Sequence, residues 1–396
     1  MQNKFKNNIR VTIYTTTGFP YGMAAENFIR QVALGLTNFE IPLNVVRMCG
    51  VYQRNSAKND TGISVSNMFL NKKLTGFLSM LNILILPFII PFSLMTNKIK
   101  FRTNVVLLYG VSFAYWGAPL IFFCKLFGIK VYSFETERYI RKYFGVEWYK
   151  FPKWMAYKLQ YSFFDSYLDG KICLSDFLVK ESIKYGLNPK KNIAIPHFID
   201  TDFFLKKHIM PDPNFFTIGF SGAMYSLNGI YVLINAFKLA LKEYSNFRLL
   251  LIGTTHFKEK NIFNDALKDI KEYIIFPGMV SVKDVPNYLG QCNVLVNPRE
   301  KSVLSDSGFP TKIGEYLSTS KPVVTTNTGD LKNFFEDKQD IFYFESGDIE
   351  RLKDLLIYIH NNESISMQVA TNGYKKAKKH LNYIESSKKL IDFIEL

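Results

Sequence analysis

Short apolar runs alternate with stretches of helical periodicity along most of the chain. Apolar runs that predict buried strands occur at residues 9–15, 43–48, 105–109, 130–134, 171–174, 192–195, 217–220, 247–252, 273–276, 294–297 and 322–326. Helical periodicity is clearest at residues 24–36, 175–184, 229–243, 282–289, 310–318 and 349–360. Strands this apolar, alternating with helices, are typical of parallel sheets that helices cover on both faces. The pattern predicts an α/β fold with two Rossmann-like domains.

The length of the chain and one irregular segment divide this pattern into domains. At 396 residues the chain is too long for one ordinary core. Residues 196–213 are irregular and contain three prolines, so the break is expected there. We predict a first domain over residues 1–205, a second over residues 206–375, and a C-terminal helix at residues 376–396 that packs back on the first domain.

The net charge of +15 is concentrated in the first half of the chain. Residues 1–205 hold 25 Lys and Arg against 12 Asp and Glu, whereas the remainder holds 24 against 22. A basic half indicates a polyanion or an anionic membrane surface as its partner. The basic residues are scattered and no recognised nucleic-acid-binding module is present, so no nucleic-acid partner is expected.

The uncharged segment at residues 76–97 is a candidate for membrane contact because it is nearly long enough to cross a bilayer. Pro87 and Pro91 lie in its middle, and each removes a helical hydrogen bond. Lysines flank the segment on both sides, which favours neither orientation in a membrane. In order of preference, we expect a buried or surface-lying helical hairpin, an interfacial membrane contact, and a true span.

The N-terminus and the cysteines both indicate a cytoplasmic protein. The first residues lack the apolar core and cleavage site of a signal peptide. The four cysteines are far apart, without metal-ligand spacing, and are expected to be buried reduced thiols. No structural metal is predicted. The basic half is compatible with peripheral attachment to the inner face of the cell membrane.

Ligands of open α/β sheets bind at the carboxyl ends of the strands, which predicts a site in the cleft where the two domains would meet. In the turn after the first strand of the second domain, Gly222 lets the backbone approach an anion, and a helix opens near Asn228. Arg299 follows the apolar run at 294–297 and should emerge at the same sheet edge. The amides of Gly308 and Phe309 precede a helix and are expected to point into the cleft.

The helix predicted at residues 310–318 carries two charges of opposite sign in its first turns. Lys312 opposes the helix dipole, so an anion nearby would compensate it. Glu315 lies one turn further on the same face and can accept two hydroxyls from a vicinal diol such as a ribose. The alternative is an exposed ion pair of little energetic value. The neighbouring loop amides and Arg299 favour a ligand site.

The stretch SDSGFPTKIGEYLSTSKPVVTTNTGD at residues 305–330 resembles the signature of family-4-type glycosyltransferases of the two-Rossmann (GT-B) class. Further similarity lies in FSGAMYSLNGIYVLINAF, in SVKDVPNYLGQCNVLVNPRE, in the crossover segment at 169–204 and in TTGFPYGMAAENFIRQVALGL. The resemblance covers most of the chain and is closest to the enzymes that assemble bacterial surface polysaccharides. It implies retaining transfer of a sugar from a UDP- or GDP-linked donor held by the second domain, with no cofactor and no required metal.

The resemblance also assigns individual residues. Glu315 matches the acid that binds the donor ribose. Gly308 and Phe309 match the loop that meets the sugar and the diphosphate. Gly18 and Gly22 match the loop of the first, acceptor-binding domain that faces the phosphates.

Three departures from the family pattern concern the chemistry. The first acid of the paired-acid motif falls at Ser307, and the adjacent Asp306 could substitute for it. The basic pair that many members carry after the first strand of the donor domain is missing, which leaves Lys312 and Arg299 to neutralise the diphosphate. Where many members carry a histidine, this chain has Glu135 and Glu137.

Glu135 or Glu137 could therefore orient or deprotonate the acceptor. Glu137 is preferred because Arg138 beside it could tune its charge. The basic, aromatic first domain fits a glycan or a lipid-diphosphate-linked acceptor at a membrane surface. Two other functions stay open: a catalytically inactive sugar-nucleotide-binding homologue or scaffold, and a nucleotide-sugar epimerase of the same fold.

Overall fold

The computed structural model describes residues 8–20, 24–48, 62–68, 77–145, 147–205, 209–255 and 258–395. The chain divides into two compact units. The first consists of residues 1–198 and 383–396, and the second of residues 199–382. The division falls in the irregular segment singled out by its prolines, seven residues before the boundary predicted at 205.

The first unit is built on a seven-stranded parallel sheet with the order β3-β2-β1-β4-β5-β6-β7. Its strands are β1 Val11–Thr15, β2 Leu43–Arg47, β3 Ser64–Asn67, β4 Val105–Tyr109, β5 Lys130–Glu135, β6 Gly170–Cys173 and β7 Asn192–Ala194. Its helices up to β7 are α1 Ala24–Asn38, α2 Phe77–Lys100, α3 Ala114–Leu126, α4 Arg141–Phe144, α5 Phe151–Ser162 and α6 Asp176–Lys184. The central strands β1 and β4 are buried along their whole length, as both-faced coverage by helices requires.

The second unit is built on a six-stranded parallel sheet with the order β10-β9-β8-β11-β12-β13. Its strands are β8 Phe216–Ser221, β9 Phe247–Ile252, β10 Ile274–Gly278, β11 Val294–Asn297, β12 Val323–Thr326 and β13 Phe342–Phe344. Its helices are α7 Thr201–Leu205, α8 Ile230–Leu241, α9 Lys260–Leu267, α10 Val285–Gly290, α11 Val303–Ser307, α12 Thr311–Ser318, α13 Ile349–Asn361 and α14 Glu363–His380. The strand order reverses direction between β8 and β11, which places the switch point of the sheet there. The predicted class, two Rossmann-like domains, is confirmed.

The C-terminal region forms two helices rather than one. Residues 376–380 end α14 in the second unit, and α15, Tyr383–Glu395, lies in the first unit. There α15 packs closely against α1, where a Cβ at Gly35 would lie 1.9 Å from the hydroxyl of Ser387. A side chain at position 35 would therefore push the two helices apart.

The segment predicted as a helical hairpin is a single helix, α2, so the hairpin prediction was wrong. A proline removes one backbone hydrogen bond but does not reverse a helix whose remaining bonds and packing persist. Ile90 and Leu94 anchor α2 in the core, and α3 packs beside it. Within the described part of the chain, no helix combines the length and apolar character that crossing a membrane requires.

Candidate functional site

The turn after β8 brings three loop backbones together at the carboxyl edge of the second sheet. Gly222 has a φ of 135°, and its N–H donates to the carbonyl of Ile252 at 2.7 Å. A Cβ at Gly253 would lie 2.0 Å from the carbonyl oxygen of Gly222. Both positions have a positive φ that favours glycine, and at Gly253 a side chain would also meet neighbouring backbone. The turn therefore exposes bare backbone where a ligand or another side chain can approach closely.

Lys312 occupies the space that Gly222 leaves open. Its Nζ lies 4.3 Å from the centre of the Phe220 ring, in cation–π contact. A Cβ at Gly222 would lie 2.4 Å from the same Nζ. One helical turn on, the hydroxyl of Tyr316 accepts a hydrogen bond of 2.7 Å from the N–H of Ser221. One face of α12 is thus fastened to the end of β8.

The charges of Lys312 and Glu315 are both poorly stabilised by the protein itself. Burial, reinforced by the positive charge of Arg299, lowers the pKa of Lys312 from 10.5 to about 7, although Glu315 acts to raise it. Burial raises the pKa of Glu315 from 4.5 to about 7, against the opposing effect of Lys312. Within the described ranges, neither side chain forms an ion pair or a hydrogen bond. Both are therefore available to bind a ligand.

Arg299 and Asn228, the other polar residues predicted for this edge, are held by backbone contacts. The carbonyl of Arg299 accepts a hydrogen bond of 2.6 Å from the hydroxyl of Thr326, which joins the segment after β11 to β12. Arg299 lies near enough to Lys312 to affect the pKa of that lysine. The side-chain amide of Asn228 donates to the carbonyl of Ala223 at 2.8 Å and so closes the loop after β8.

The end of α11 and the residues that join it to α12 are largely buried. Ser307, at the position of the missing family acid, is fully buried, and its hydroxyl donates to the carbonyl of Leu304 at 3.1 Å. The carboxylate of Asp306 accepts a hydrogen bond from the N–H of Gly329 at 3.3 Å. Gly308 is buried, and the Phe309 ring packs against another aromatic ring of the second unit. Asp306 thus holds a neighbouring loop, and its prediction as a substitute acid is not supported by this contact.

In the first unit, the glycine loop after β1 donates a hydrogen bond to a carboxylate, Glu26, that was not predicted from the sequence. The N–H of Gly18 donates to Oε1 of Glu26 at 3.2 Å, and Glu26 lies in the first turn of α1. Its position, an acid shortly after a glycine-containing loop and at a helix start, is the signal that could have identified it. Gly22 lies outside the described residues. The amide of Gly18 is therefore engaged within the protein.

Glu135 lies in a buried ionic network at the end of β5. Its Oε2 lies 2.6 Å from Nζ of Lys171, which also pairs with Asp165, and its Oε1 lies 3.8 Å from Nη1 of Arg138. Burial acts to raise the pKa of Glu135, but the Lys171 ammonium and the Arg138 guanidinium outweigh it and hold the pKa below its usual value. A carboxylate stabilised in this way is a weak base. The geometry indicates a structural role for Glu135.

Glu137 lies two residues beyond Glu135, at which β5 ends. The Oε2 of Glu137 accepts a hydrogen bond of 2.9 Å from the hydroxyl of Tyr139. Burial, reinforced by the negative charges of Glu137 and Glu26, raises the pKa of Tyr109 well above its usual value. Glu137 and Glu26 therefore lie close to the same tyrosine. Of the two predicted acids, Glu135 is the one that pairs with the buried Lys171.

Among the described residues, no group of three or more His, Cys, Asp or Glu side chains lies close enough together to hold a metal ion. The candidate site at the carboxyl edge of the second sheet consists instead of one lysine, one carboxylate and glycine-rich backbone. Such groups suit a ligand that carries both negative charge and hydroxyls.

The fold is that of the two-Rossmann class, and the second unit carries Lys312 and Glu315 on the helix at the carboxyl edge of its sheet. Residues 216–362 match the family model described as "Glycosyl transferases group 1". The match lies within the second unit, and the predicted resemblance to glycosyltransferases is confirmed.

Individual relatives agree with this assignment. The chain is 27% identical over 213 residues to an uncharacterized glycosyltransferase of Methanocaldococcus jannaschii, which covers 53% of this chain and 55% of the relative. It is 25% identical over 246 residues to the capsular polysaccharide biosynthesis glycosyltransferase CapM of Staphylococcus aureus, which covers 55% of this chain and 61% of that protein. The chain thus spans little more than half the length of these relatives.

The fold is also similar to that of solved structures. The crystal structure of Anabaena HepE in complex with UDP and glucose superposes with a TM-score of 0.72 and covers 98% of this chain and 100% of HepE. The sequence identity is 15%, so this likeness concerns the fold alone.

Proposed function

We propose that this protein is a retaining glycosyltransferase that moves a sugar from a nucleotide-sugar donor to a glycan acceptor during surface-polysaccharide synthesis. The observation that carries the proposal is Lys312. This lysine is held at the carboxyl edge of a nucleotide-binding type of sheet, packed on Phe220 and Gly222, with no ion pair among the described residues. A diphosphate placed against it would supply the missing counter-charge.

The donor is a UDP-linked sugar in this proposal. Lys312 and Arg299 neutralise the diphosphate, and the Glu315 carboxylate accepts hydrogen bonds from the two ribose hydroxyls. Binding of the anion would raise the pKa of Lys312 again, which favours its charged form in the complex. The choice of UDP is supported by the complex of the structurally similar HepE with UDP.

Transfer breaks the bond between the anomeric carbon of the sugar and the diphosphate oxygen, and it forms a bond from that carbon to the acceptor oxygen on the same face. The leaving diphosphate gains negative charge as its bond breaks, and Lys312 and Arg299 stabilise that charge. Glu137 orients the acceptor hydroxyl, and the leaving diphosphate oxygen takes up the proton of that hydroxyl as the new bond forms. Lys312 and Arg299 thus act on the charge of the leaving diphosphate, and Glu137 acts on the acceptor hydroxyl.

The acceptor is a growing glycan, most simply one linked to a lipid diphosphate at the cytoplasmic membrane surface. The relationship to CapM, a capsular polysaccharide biosynthesis glycosyltransferase, supports a polysaccharide acceptor. Helix α2 supports membrane attachment, because Ile85, Phe88, Phe92, Met95 and Ile99 are all exposed. Their spacing of three and four residues places them along one face of the helix. We call this set the α2 apolar face.

Basic side chains accompany the α2 apolar face. Lys98 and Lys100 lie in the last turn of α2, and Arg102 follows it. Apolar burial combined with attraction to anionic headgroups is the usual basis of reversible membrane binding by a surface helix. The protein is therefore proposed to act as a peripheral membrane protein.

A thermal-shift panel with UDP-, GDP-, ADP- and dTDP-glucose tests the donor assignment on the whole protein. Binding to the folded state raises the melting temperature, by an amount equivalent to about 2.7 kcal/mol at one hundred times Kd. We expect a saturable rise of several degrees with UDP-glucose, lost in Lys312→Met and retained in Lys332→Met, a lysine on the surface of the same unit. No shift with any of the four donors would refute the proposal.

A catalytically inactive, sugar-nucleotide-binding homologue is the second candidate, favoured by Ser307 at the position of a family acid. The two functions differ in turnover. Slow release of UDP from UDP-glucose in the absence of acceptor, abolished by Glu315→Ala, would establish an enzyme. Binding of UDP-glucose without any release of UDP, with or without glycan acceptors, would favour the inactive homologue.

A further inference from the structure

A cavity lies at the amino edge of the sheet in the second unit, opposite to the edge that holds Lys312. Its volume is about 430 Å³, which is within the range of small-molecule sites. Phe216 begins β8, Asn293 precedes β11 and Pro322 precedes β12, and all three line this cavity. The end of α13 and the start of α14 close it from the other side. Nothing in the proposed transfer reaction uses this space.

Among the described residues, Lys321 is the one lysine or arginine that lines this cavity. Only 9% of its surface is exposed, and within the described ranges it forms neither an ion pair nor a hydrogen bond. Burial holds the pKa of Lys321 below its usual value, although Cys292 and Glu363 act to raise it. A buried ammonium without a partner costs folding free energy, so an anion bound beside it would stabilise the protein.

Ser366 adds a second polar group whose hydrogen-bonding capacity is not used. It is 1% exposed, it lines the same cavity, and its hydroxyl has no hydrogen-bond partner in the described part of the chain. It lies in the first turn of α14, an 18-residue helix whose N-cap, Asn362, makes no capping hydrogen bond with its side chain. The first turn of α14, at the positive end of its dipole, therefore forms part of the wall of the cavity that Lys321 lines.

The rest of the lining determines which kind of anion fits. Just over half of the lining residues are apolar, among them Phe216, Ile359 and Met367. Two carboxylates, Asp212 and Glu363, also line the cavity and would repel a doubly charged group more strongly than a singly charged one. A partly apolar wall with one largely buried lysine suits an amphiphilic molecule with a single negative charge.

We propose that this cavity binds a small amphiphilic monocarboxylate, with its carboxylate on Lys321 and the Ser366 hydroxyl and its apolar body against Phe216, Ile359 and Met367. The site is separate from the nucleotide edge, because the two lie at opposite ends of the same parallel strands. Its existence does not depend on the proposed transfer reaction.

The test uses hexanoate as the probe and the whole protein labelled with methyl-¹³C methionine. Met210 and Met367 both line the cavity, so their methyl signals report on binding there. The two signals are assigned from Met210→Leu and Met367→Leu. We expect saturable shifts of both signals with hexanoate, with an affinity about tenfold higher than for hexanol, since a hydrogen bond to a charged group contributes about 1.5–3 kcal/mol. Hexylammonium should produce no shift.

Two variants and one competition experiment locate the site. Lys321→Met and Ser366→Ala should each weaken hexanoate binding, by about tenfold for the lysine, whereas Lys268→Met at the surface of the same unit should not. Because Lys321→Met removes an unpaired buried charge, it should still fold, and the melting temperature of the variant verifies this. Saturating hexanoate should leave the affinity for UDP unchanged.

Absence of saturable shifts, equal affinity for hexanol, or unchanged binding in Lys321→Met would overturn the assignment. Tighter binding of hexyl phosphate than of hexanoate would overturn the carboxylate class. Competition between hexanoate and UDP would show that the probe occupies the nucleotide edge instead. Failure of UDP-glucose to bind, with hexanoate still bound, would count against the transferase proposal and leave this one standing.

Discussion

The Nζ of Lys312 lies 4.3 Å from the centre of the Phe220 ring, and this contact joins the first turn of α12 to the end of β8. A lysine so placed cannot swing into solvent without losing the aromatic contact. It is thereby pre-organised for an anion at the sheet edge, and a pre-organised group loses less entropy on binding.

Replacement of Lys312 by methionine keeps the length of the side chain and removes its charge. We expect the affinity for UDP to fall roughly 10- to 100-fold, because a charge-assisted hydrogen bond to phosphate contributes about 1.5–3 kcal/mol. The unliganded variant should be at least as stable as the parent, since burial disfavours the charged form. Isothermal titration with UDP measures the affinity, with Lys332→Met as control. Unchanged affinity in Lys312→Met would remove the lysine from the site.

Glu315 makes stability depend on pH in a direction opposite to that of an ordinary ion-paired acid. Its pKa is raised from 4.5 to about 7 in the folded state, so the folded protein binds a proton that the unfolded chain has released. The resulting stabilisation is complete below pH 4.5 and is lost as the pH rises through 7. We expect the free energy of unfolding of the parent protein to fall by roughly 1 to 3 kcal/mol between pH 5 and 7.5 because of this group. The fall should be absent in Glu315→Gln.

Urea unfolding at the two pH values measures this difference, and Glu345→Gln, an exposed acid of the same unit, is the control. The same Glu315→Gln variant should bind UDP more weakly at pH 7.5, because an amide accepts fewer hydrogen bonds from the ribose than a carboxylate does. A variant that is both less stable and unimpaired in UDP binding would contradict the assigned role.

Gly222→Ala should disturb Lys312 without touching any charge. The new Cβ would lie 2.4 Å from Nζ of Lys312, and the backbone φ of 135° is unfavourable for alanine. We expect weaker UDP binding together with a loss of about 1–2 kcal/mol of stability. Gly278→Ala is the matched control, because Gly278 also has a positive φ but no atom lies within 4 Å of the added Cβ. Equal effects of the two variants on UDP affinity would show that backbone strain alone is responsible.

Glu135 and Glu137 are predicted to differ sharply when each is changed to glutamine. Glu135→Gln leaves the buried Lys171 with one carboxylate fewer, and breaking such a pair costs about 3–5 kcal/mol. Glu137→Gln should cost less, about 0.5–1.5 kcal/mol for the altered hydrogen bond with Tyr139, and reduce the rate of sugar transfer. Chemical denaturation and a transfer assay separate the two effects. A stable Glu135→Gln enzyme with slow transfer would reverse the assignment.

The α2 apolar face should mediate attachment to anionic membranes. In flotation with vesicles that contain anionic lipid, we expect binding at low salt and weaker binding at high salt, because salt screens the lysines but not the apolar contact. The double variant Phe88→Ser, Phe92→Ser should not float with the vesicles. The control is the double variant Ile262→Ser, Met279→Ser, which changes two exposed apolar residues of the second unit and should still float. Absence of binding at either salt concentration would exclude the membrane role.

Much of the architecture could be predicted from the chain because buried parallel strands are nearly uniformly apolar. The strands at Val105–Tyr109, Phe247–Ile252 and Val294–Asn297 were predicted to the residue. Two strands escaped prediction: Ser64–Asn67 is polar at the edge of its sheet, and Phe342–Phe344 has only three residues. Short or polar edge strands owe their structure to pairing with a neighbour, which periodicity does not report.

The sequence alone determined the local chemistry of the second unit. A lysine and an acid lie one turn apart on a helix, and the geometry of a helix fixes which residues are neighbours on it. Tertiary structure decided what surrounds these groups: Phe220 beneath Lys312, Lys171 beside Glu135, and Glu26 at the amide of Gly18. It also decided that Lys321 and Ser366 share a cavity, although 45 positions separate them in the chain. Such neighbours come from different strands and helices, so only the packing of a complete unit brings them within contact distance. The same packing removes the water that would otherwise screen their charges.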